Sequence, residues 1–346
     1  MPSVVIVYRN ELMNQLIKAL KNRILVLDGA MGTMLQRYKF NEEDFRGERF
    51  KEHPMPLKGN NDLLSITQPE AIYSIHSQYF EAGADIVETN TFSATTIGMA
   101  DYGLEDYVYE LNFASAQVAR KAADEYSKLT PEQPRFVAGS VGPTNKTASM
   151  SPEVNDPGFR AITFDQLVEA YSQQVKALIE GGVDLILIET VFDTLNAKAA
   201  LFATQEVQET LGTQVPVMVS GTITDASGRT LSGQTVEAFL ISLQHADLLS
   251  IGLNCALGAD QLLSYIRRLA QNADCFISAH PNAGLPNAFG QYDQDAQAMG
   301  ALIKKYLDES LVNIIGGCCG STPEHIKVIA DLVKDYKPRT PKILAV

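Results

Sequence analysis

Short apolar runs alternate with helix-periodic segments along the whole of this sequence. The runs occupy residues 24–27, 84–89, 135–140, 184–189, 215–220, 248–254, 274–279 and 312–317. They are nearly continuous rather than alternating with polar residues, which marks strands buried on both faces, as in a parallel sheet covered by helices. Helical periodicity fills the intervals at residues 69–82, 105–127, 164–180, 195–211, 235–245, 260–272, 295–309 and 323–335. Eight strand-then-helix units predict an α/β fold, a single (β/α)8 TIM barrel, with an open doubly wound sheet as the alternative. An amphipathic segment at residues 11–22 adds an N-terminal helix. No low-complexity stretch or long linker interrupts the pattern, so one domain is expected over residues 1–346, with its core at about 12–338.

Two of the units rhyme. Glu81-Ala82-Gly83-Ala84-Asp85 leads to Glu88-Thr89, and Glu180-Gly181-Gly182-Val183-Asp184 leads to Glu189-Thr190. Each is a helix end, a glycine stop, a strand and an acidic tip, which reads as the shared punctuation of α/β units rather than as a duplication. The connection at about residues 29–68 is far longer than a usual βα loop. In a barrel it lies over the C-terminal face, where active sites form, and it is a candidate lid carrying Arg37, Tyr38, Phe40, Phe45 and the polar run Gly59-Asn60-Asn61-Asp62.

Charge and cysteine usage narrow the function classes. A formal net charge of -13 leaves no cationic surplus to release counterions from a polyanion, which argues against nucleic acid and anionic membrane as partners. The apolar run Val4-Val5-Ile6-Val7 is too short for a signal-peptide core or a membrane span. Four cysteines in 346 residues are too few for a disulfide framework, so a cytoplasmic protein with reduced thiols is expected.

Three of those cysteines converge in a barrel. Cys255 ends the sixth strand, and Cys318-Cys319, inside Gly316-Gly317-Cys318-Cys319-Gly320, end the eighth, so all reach the C-terminal mouth. Cys275 starts the seventh strand, at the opposite end, and reads as a packed thiol. Neighbouring strand residues point to opposite faces, so Cys318 and Cys319 meet one ion only if the backbone turns sharply, a freedom expected of Gly316, Gly317 and Gly320. Three thiolates favour Zn²⁺ with a fourth position left for substrate; a vicinal disulfide or inert thiols remain the alternatives.

Several stretches resemble one known family. Asp28-Gly29-Ala30-Met31-Gly32-Thr33, Glu88-Thr89-Asn90-Thr91-Phe92, Gly252-Leu253-Asn254-Cys255 and the Cys318-Cys319 motif are similar to the zinc-dependent homocysteine S-methyltransferases. Gly59 to Pro69, Gly142 to Thr147, Ser227 to Thr235 and Pro281 to Pro286 resemble the cobalamin-dependent methionine synthase branch of that family, and the likeness runs from about Leu12 to Pro338.

The resemblance implies zinc-dependent methyl transfer to the thiol of L-homocysteine, giving L-methionine. It matches Cys255, Cys318 and Cys319 to the zinc ligands. It matches Asp28 and Glu189 to the acids that hold the substrate's ammonium, and it sends the carboxylate to the backbone at Gly29 and Ala30. Carboxylates at the ends of strands one and four suit an ammonium on physical grounds as well, and the amides of a glycine-rich turn suit a carboxylate. Glu88 is a weaker candidate, Asn254 a supporting residue behind the ligands, and His280 either structural or a competing ligand. As methyl donor the resemblance implies methylcobalamin, supplied from outside this chain by cobalamin-binding and folate-binding modules, on the same longer polypeptide or on separate subunits. Stand-alone use of betaine or S-methylmethionine is the nearest alternative. A non-catalytic zinc or thiol-binding module and a redox enzyme built on Cys318-Cys319 are the alternatives from other classes.

Thiol acidity sets what such a site must supply. A thiol of pKa about 8.5 is only a few per cent ionised at neutral pH, so full ionisation gains roughly 30-fold in nucleophile. A Brønsted slope of about 0.4–0.5 returns much of that gain as the pKa falls. Positioning of a defined thiolate against the methyl carbon must therefore carry much of the rate.

Overall fold

The computed structural model describes residues 2–225 and 227–342, with side chains from residue 11 onward, so the side chains of Val4 to Val7 lie outside the described residues. Eight strands form one parallel sheet: β1 (Leu25–Val26), β2 (Ile86–Glu88), β3 (Phe136–Val141), β4 (Leu185–Val191), β5 (Val217–Gly221), β6 (Ser250–Gly258), β7 (Phe276–Asn282) and β8 (Ile314–Ile315). Their order is β1-β8-β7-β6-β5-β4-β3-β2. The Leu27–Ile86 bridge joins the two ends, with Asp28 N–H donating to the Ile86 carbonyl, so the sheet closes into the expected barrel and the open sheet is excluded. Strands β1 and β8 are shorter than their apolar runs. Each pairs over only two residues before its chain turns away toward the mouth.

Two apolar cores follow from strand alternation. Leu25, Leu27, Ile86, Phe136, Ala138, Leu185, Leu187, Met218 and Ile314 fill the barrel interior, and the N-terminal helix (Pro2–Asn22) plugs its floor with Leu16 and Leu20. The second core lies between the strands and the outer helices, where Ile186, Ile188, Val219, Ile251 and Ile277 meet residues such as Leu178, Ala200, Phe239 and Ile266.

The rhyming units do the same structural job. Gly83 and Gly182 end their helices in the left-handed region, at φ 105° and 102°. The residue that opens each following strand region then reaches sideways: Asp85 accepts the Val26 N–H at 2.9 Å and pairs with Arg23, and Asp184 accepts the Val137 N–H at 2.7 Å and pairs with Arg120. Asn313 repeats the move before β8 by accepting the Ile277 N–H at 3.0 Å. The repetition is punctuation that ties neighbouring strands at the barrel floor.

The long β1 connection is ordered by its own side chains. Asn41 and Asp44 form a capping box at the helix Glu42–Arg46. Glu42 accepts the N–H groups of Leu57 and Lys58, and the Arg46 guanidinium donates to the carbonyls of Phe50, Lys51, His53 and Met55. Its far end is fastened to the exit of β2, where Asn90 donates to the Asn61 carbonyl and Asp62 accepts the Ser93 N–H. The candidate lid is thus braced by its own side chains and tied to the exit of β2.

His76, on the helix Pro69–Ala82, is fully buried with neither ring nitrogen partnered, and burial pushes its pKa from 6.5 down to about 3. Burial does the same to His280. The unfolded chain protonates these imidazoles below about pH 6.5 and the folded chain does not, so stability is full at neutral pH and is lost as pH falls toward about 3. Each group should remove about 2 kcal/mol by about pH 5. His76→Leu should abolish about half of that acid limb in urea unfolding midpoints measured against pH; an unaltered limb would show that His76 finds a proton-accepting partner in the fold.

Candidate active site and metal centre

The strand ends converge on a cavity of about 1160 Å³ at the C-terminal mouth. Asp28, Gly29 and Ala30 follow β1, Glu88 ends β2, Glu189 and Thr190 lie in β4, Cys255 in β6, His280 in β7, and Cys318 and Cys319 follow β8; all line it. Cys275 lies apart, at the start of β7, where its carbonyl accepts from Arg339. That agrees with a packed thiol at the floor.

The three cysteines fit a thiolate-bound metal. All are free, their sulfurs lie within 4.8 Å of one another, and the Cys255 and Cys319 sulfurs are 3.7 Å apart. Tetrahedral zinc with bonds of about 2.3 Å requires sulfurs about 3.8 Å apart, so the donor set matches with little movement. Hydrogen bonds from Cys255 and then Cys318 hold the Cys319 thiol well below the ordinary range, while the thiol of Cys318 is held above it. The Cys255 thiol is likewise pushed up, to about 11, so without a metal ion the favoured thiolate is at Cys319 alone.

The backbone brings the sulfurs together in part as the sequence suggests, with Gly320 but not Gly316 or Gly317 supplying the turn. Only Gly320 of the three glycines is left-handed, at φ 80°. Gly316 and Gly317 are needed for close approach: a Cβ on them would sit 2.7 Å from Leu27 and 2.3 Å from the Ser321 hydroxyl. The Ser321 N–H closes a turn on the Cys318 carbonyl at 3.0 Å, through Cys319 and the left-handed Gly320, and a second bend lies at Cys255 and Ala256, which take φ 58° and 54° beside a bulge in β6.

The opposite wall is acidic. Asp28 is buried; one carboxylate oxygen accepts the Glu88 N–H at 3.0 Å and the other has no partner. Glu189 accepts from the Ser140 hydroxyl, and the His280 ring nitrogen Nδ1 lies 3.9 Å from Glu88. Burial raises all three carboxyl groups above the ordinary range, Glu189 to about 7. His280, held neutral by burial, offers them no positive charge. Among the described residues the cavity is lined by Asp28, Asp62, Glu88, Asp101, Glu189, Asp295 and Glu324 against one guanidinium, Arg37. Such a wall calls for a cationic guest.

Several supporting residues left no mark in the sequence. Ser321 donates to the Cys318 carbonyl and lies 3.3 Å from the Ala30 N–H, linking the two strand exits, and the Tyr79 hydroxyl donates to the carbonyls of Ala30 and Ser321. A serine inside an apolar strand, such as Ser140, is likewise indistinguishable from packing until its partner is seen.

Residues 25–333 match the family model described as homocysteine S-methyltransferase. The chain belongs to the homocysteine S-methyltransferase family. It is a methyltransferase, and homocysteine is the substrate of its family. Among solved structures it is similar to the homocysteine methyltransferase MmuM from Escherichia coli. The metallated form matches at 24% identity over 92% of this chain and 99% of that one, with a TM-score of 0.71. The oxidized form matches at 22% over 89% and 95%, with a TM-score of 0.69, and the apo form at 22% over 90% and 97%, with a TM-score of 0.65. At these identities the structures support the barrel. Among the described residues no helix is long and apolar enough to cross a membrane.

Proposed function

We propose that this methyltransferase converts homocysteine to methionine on a zinc ion held by Cys255, Cys318 and Cys319. The observation that carries the reading is the pairing of a three-thiol site with a buried acidic wall across one cavity. Zinc, when bound, would supply the Lewis acidity that ionises the substrate thiol at neutral pH. Asp28 and Glu189 take the ammonium, and the backbone at Gly29 and Ala30 takes the carboxylate. Together they fix the sulfur with its lone pair toward the mouth, where positioning is worth more than ionisation. The new S–C bond forms as the bond from the methyl carbon to the donor breaks, and that electron pair leaves with the donor.

A small onium donor, such as S-methylmethionine or betaine, has two supports. The acidic lining attracts a cation. The chain also spans nearly the whole of a solved protein named for homocysteine methylation. Methylcobalamin delivered by an outside module is the second reading, favoured by the motifs that resemble the cobalamin-dependent branch and by a cavity of about 1160 Å³, larger than homocysteine needs. A cytoplasmic setting belongs to the proposal, because three reduced thiols must persist.

The test is methionine formation by zinc-loaded protein given homocysteine and each donor in turn. Turnover with an onium is the expected result. Turnover with methylcobalamin alone would select the second reading, and zinc binding with no turnover on any donor would leave a metal-binding module.

A further inference from the structure

Asn254 is fully buried between β4, β5 and the exit of β8, and its amide is completely used. Oδ1 accepts the Thr190 N–H at 3.0 Å and the Ser220 hydroxyl at 2.7 Å. Nδ2 donates to Thr190 Oγ1 at 2.8 Å and to the Cys318 sulfur at 3.8 Å. A backbone N–H can only donate, so the atom facing Thr190 N must be the oxygen, and the atom facing the sulfur is then the N–H donor.

Thr190 is strained. Its φ is 56°, left-handed for a β-branched residue, beside a register shift in β4 between Ile188 and Val191. Such a conformation costs on the order of 1–3 kcal/mol and persists only where its surroundings hold it. Here both the N–H and the hydroxyl of Thr190 are held by one partner, Asn254. The residue before Thr190 is Glu189, aimed into the cavity, and the residue after Asn254 is Cys255, itself left-handed at φ 58°.

We propose that Asn254 is a positioning residue that couples the thiolate site to the ammonium-binding wall, one end of its amide donating to Cys318 and the other fixing the turn that aims Glu189. This rests on the proposed homocysteine site. An N–H donor aimed at sulfur stabilises the thiolate against protonation, and the Thr190 turn sets where the Glu189 carboxylate stands relative to it. Metal affinity and substrate affinity therefore share a residue that lines neither the cavity nor the ligand set.

Metal affinity, from chelator competition, and homocysteine binding to the zinc-loaded protein, from calorimetry, test this without any methyl donor. Asn254→Ala should weaken both, each by roughly 10–100-fold, the range for partners that orient metal ligands. Adding Thr190→Gly to Asn254→Ala separates the two arms, because glycine holds a left-handed turn unaided. Homocysteine affinity should recover to within about threefold of the parent while metal affinity stays low. With cobalt in place of zinc, the thiolate charge-transfer band should shift in both variants, which a general loss of packing would not produce. Should Asn254→Ala fail to fold, Asn254→Asp carries the test: it keeps the acceptor for the Thr190 N–H and the Ser220 hydroxyl, the Thr190 hydroxyl can donate to the new carboxylate instead of accepting, and the donor to Cys318 is replaced by an acceptor. It should lower metal affinity at least about tenfold. Parental metal affinity in Asn254→Asp, or no recovery of homocysteine binding in the double variant, overturns the proposal. Failure of the parent protein to bind homocysteine would refute the proposed site instead, and the metal arm would still judge Asn254.

Discussion

Cys318→Ala removes the metal and the activity together. Two thiolates remain in this variant, and neither the buried amide of Asn254 nor the carbonyls around Gly320 offers a thiolate in exchange. Zinc affinity should fall by at least about a thousandfold, because each charged sulfur contributes several kcal/mol to a site whose free energy is about 10–16 kcal/mol for complete structural zinc sites. Metal content after dialysis and the rate of methionine formation should both drop to background. Cys275→Ala is the matched control: its thiol lies at the other end of β7, and the variant should keep full zinc and full turnover. Full zinc and full turnover in Cys318→Ala would refute the three-thiolate site. Retained zinc with lost turnover would place Cys318 in the chemistry but outside the ligand set.

The difference between these two cysteines was readable in the sequence because it depends only on which end of a strand each occupies. Eight apolar runs with helices between them fit a parallel sheet, closed or open, and position within a run then assigns a residue to one end of it, the floor or the mouth once the barrel closes. Local conformations that packing imposes against intrinsic preference were not readable. Nothing in the residue types at Thr190, Cys255 and Ala256 announces a left-handed backbone, which is ordinarily glycine's territory. The roles assigned to Gly316 and Gly317 failed for the same reason: what they avoid is a clash with Leu27 and Ser321, residues that only the closed barrel brings near. The β1 connection suggests a candidate lid because its length is visible in the sequence, whereas the bonds made by Glu42, Arg46 and Asp62 to distant backbone groups are not.

Glu189→Gln should raise the KM for homocysteine by roughly 30- to 1000-fold at unchanged zinc content, since losing one member of a buried charge pair costs about 2–4 kcal/mol. Glutamine keeps the shape and an oxygen for the Ser140 hydroxyl, so the change isolates the charge. The pH profile gives the same group a second signature. Burial raises the Glu189 carboxyl to about 7, so below that pH it is protonated and has no attraction for an ammonium. In the parent enzyme kcat/KM for homocysteine should therefore rise with pH through about 7, and in Glu189→Gln that limb should vanish, leaving only the ionisation of the thiol. Asp28→Asn tests whether the wall acts as a unit. Asp28 is also buried, and Glu189 opposes its ionisation. Asp28→Asn should raise KM while the limb stays near pH 7, because burial and the Cys319 sulfur, not Asp28, hold the Glu189 carboxyl up. A KM near that of the parent in Glu189→Gln would mean that the ammonium is held elsewhere on the acidic lining, and Glu88 would be the next carboxylate to replace.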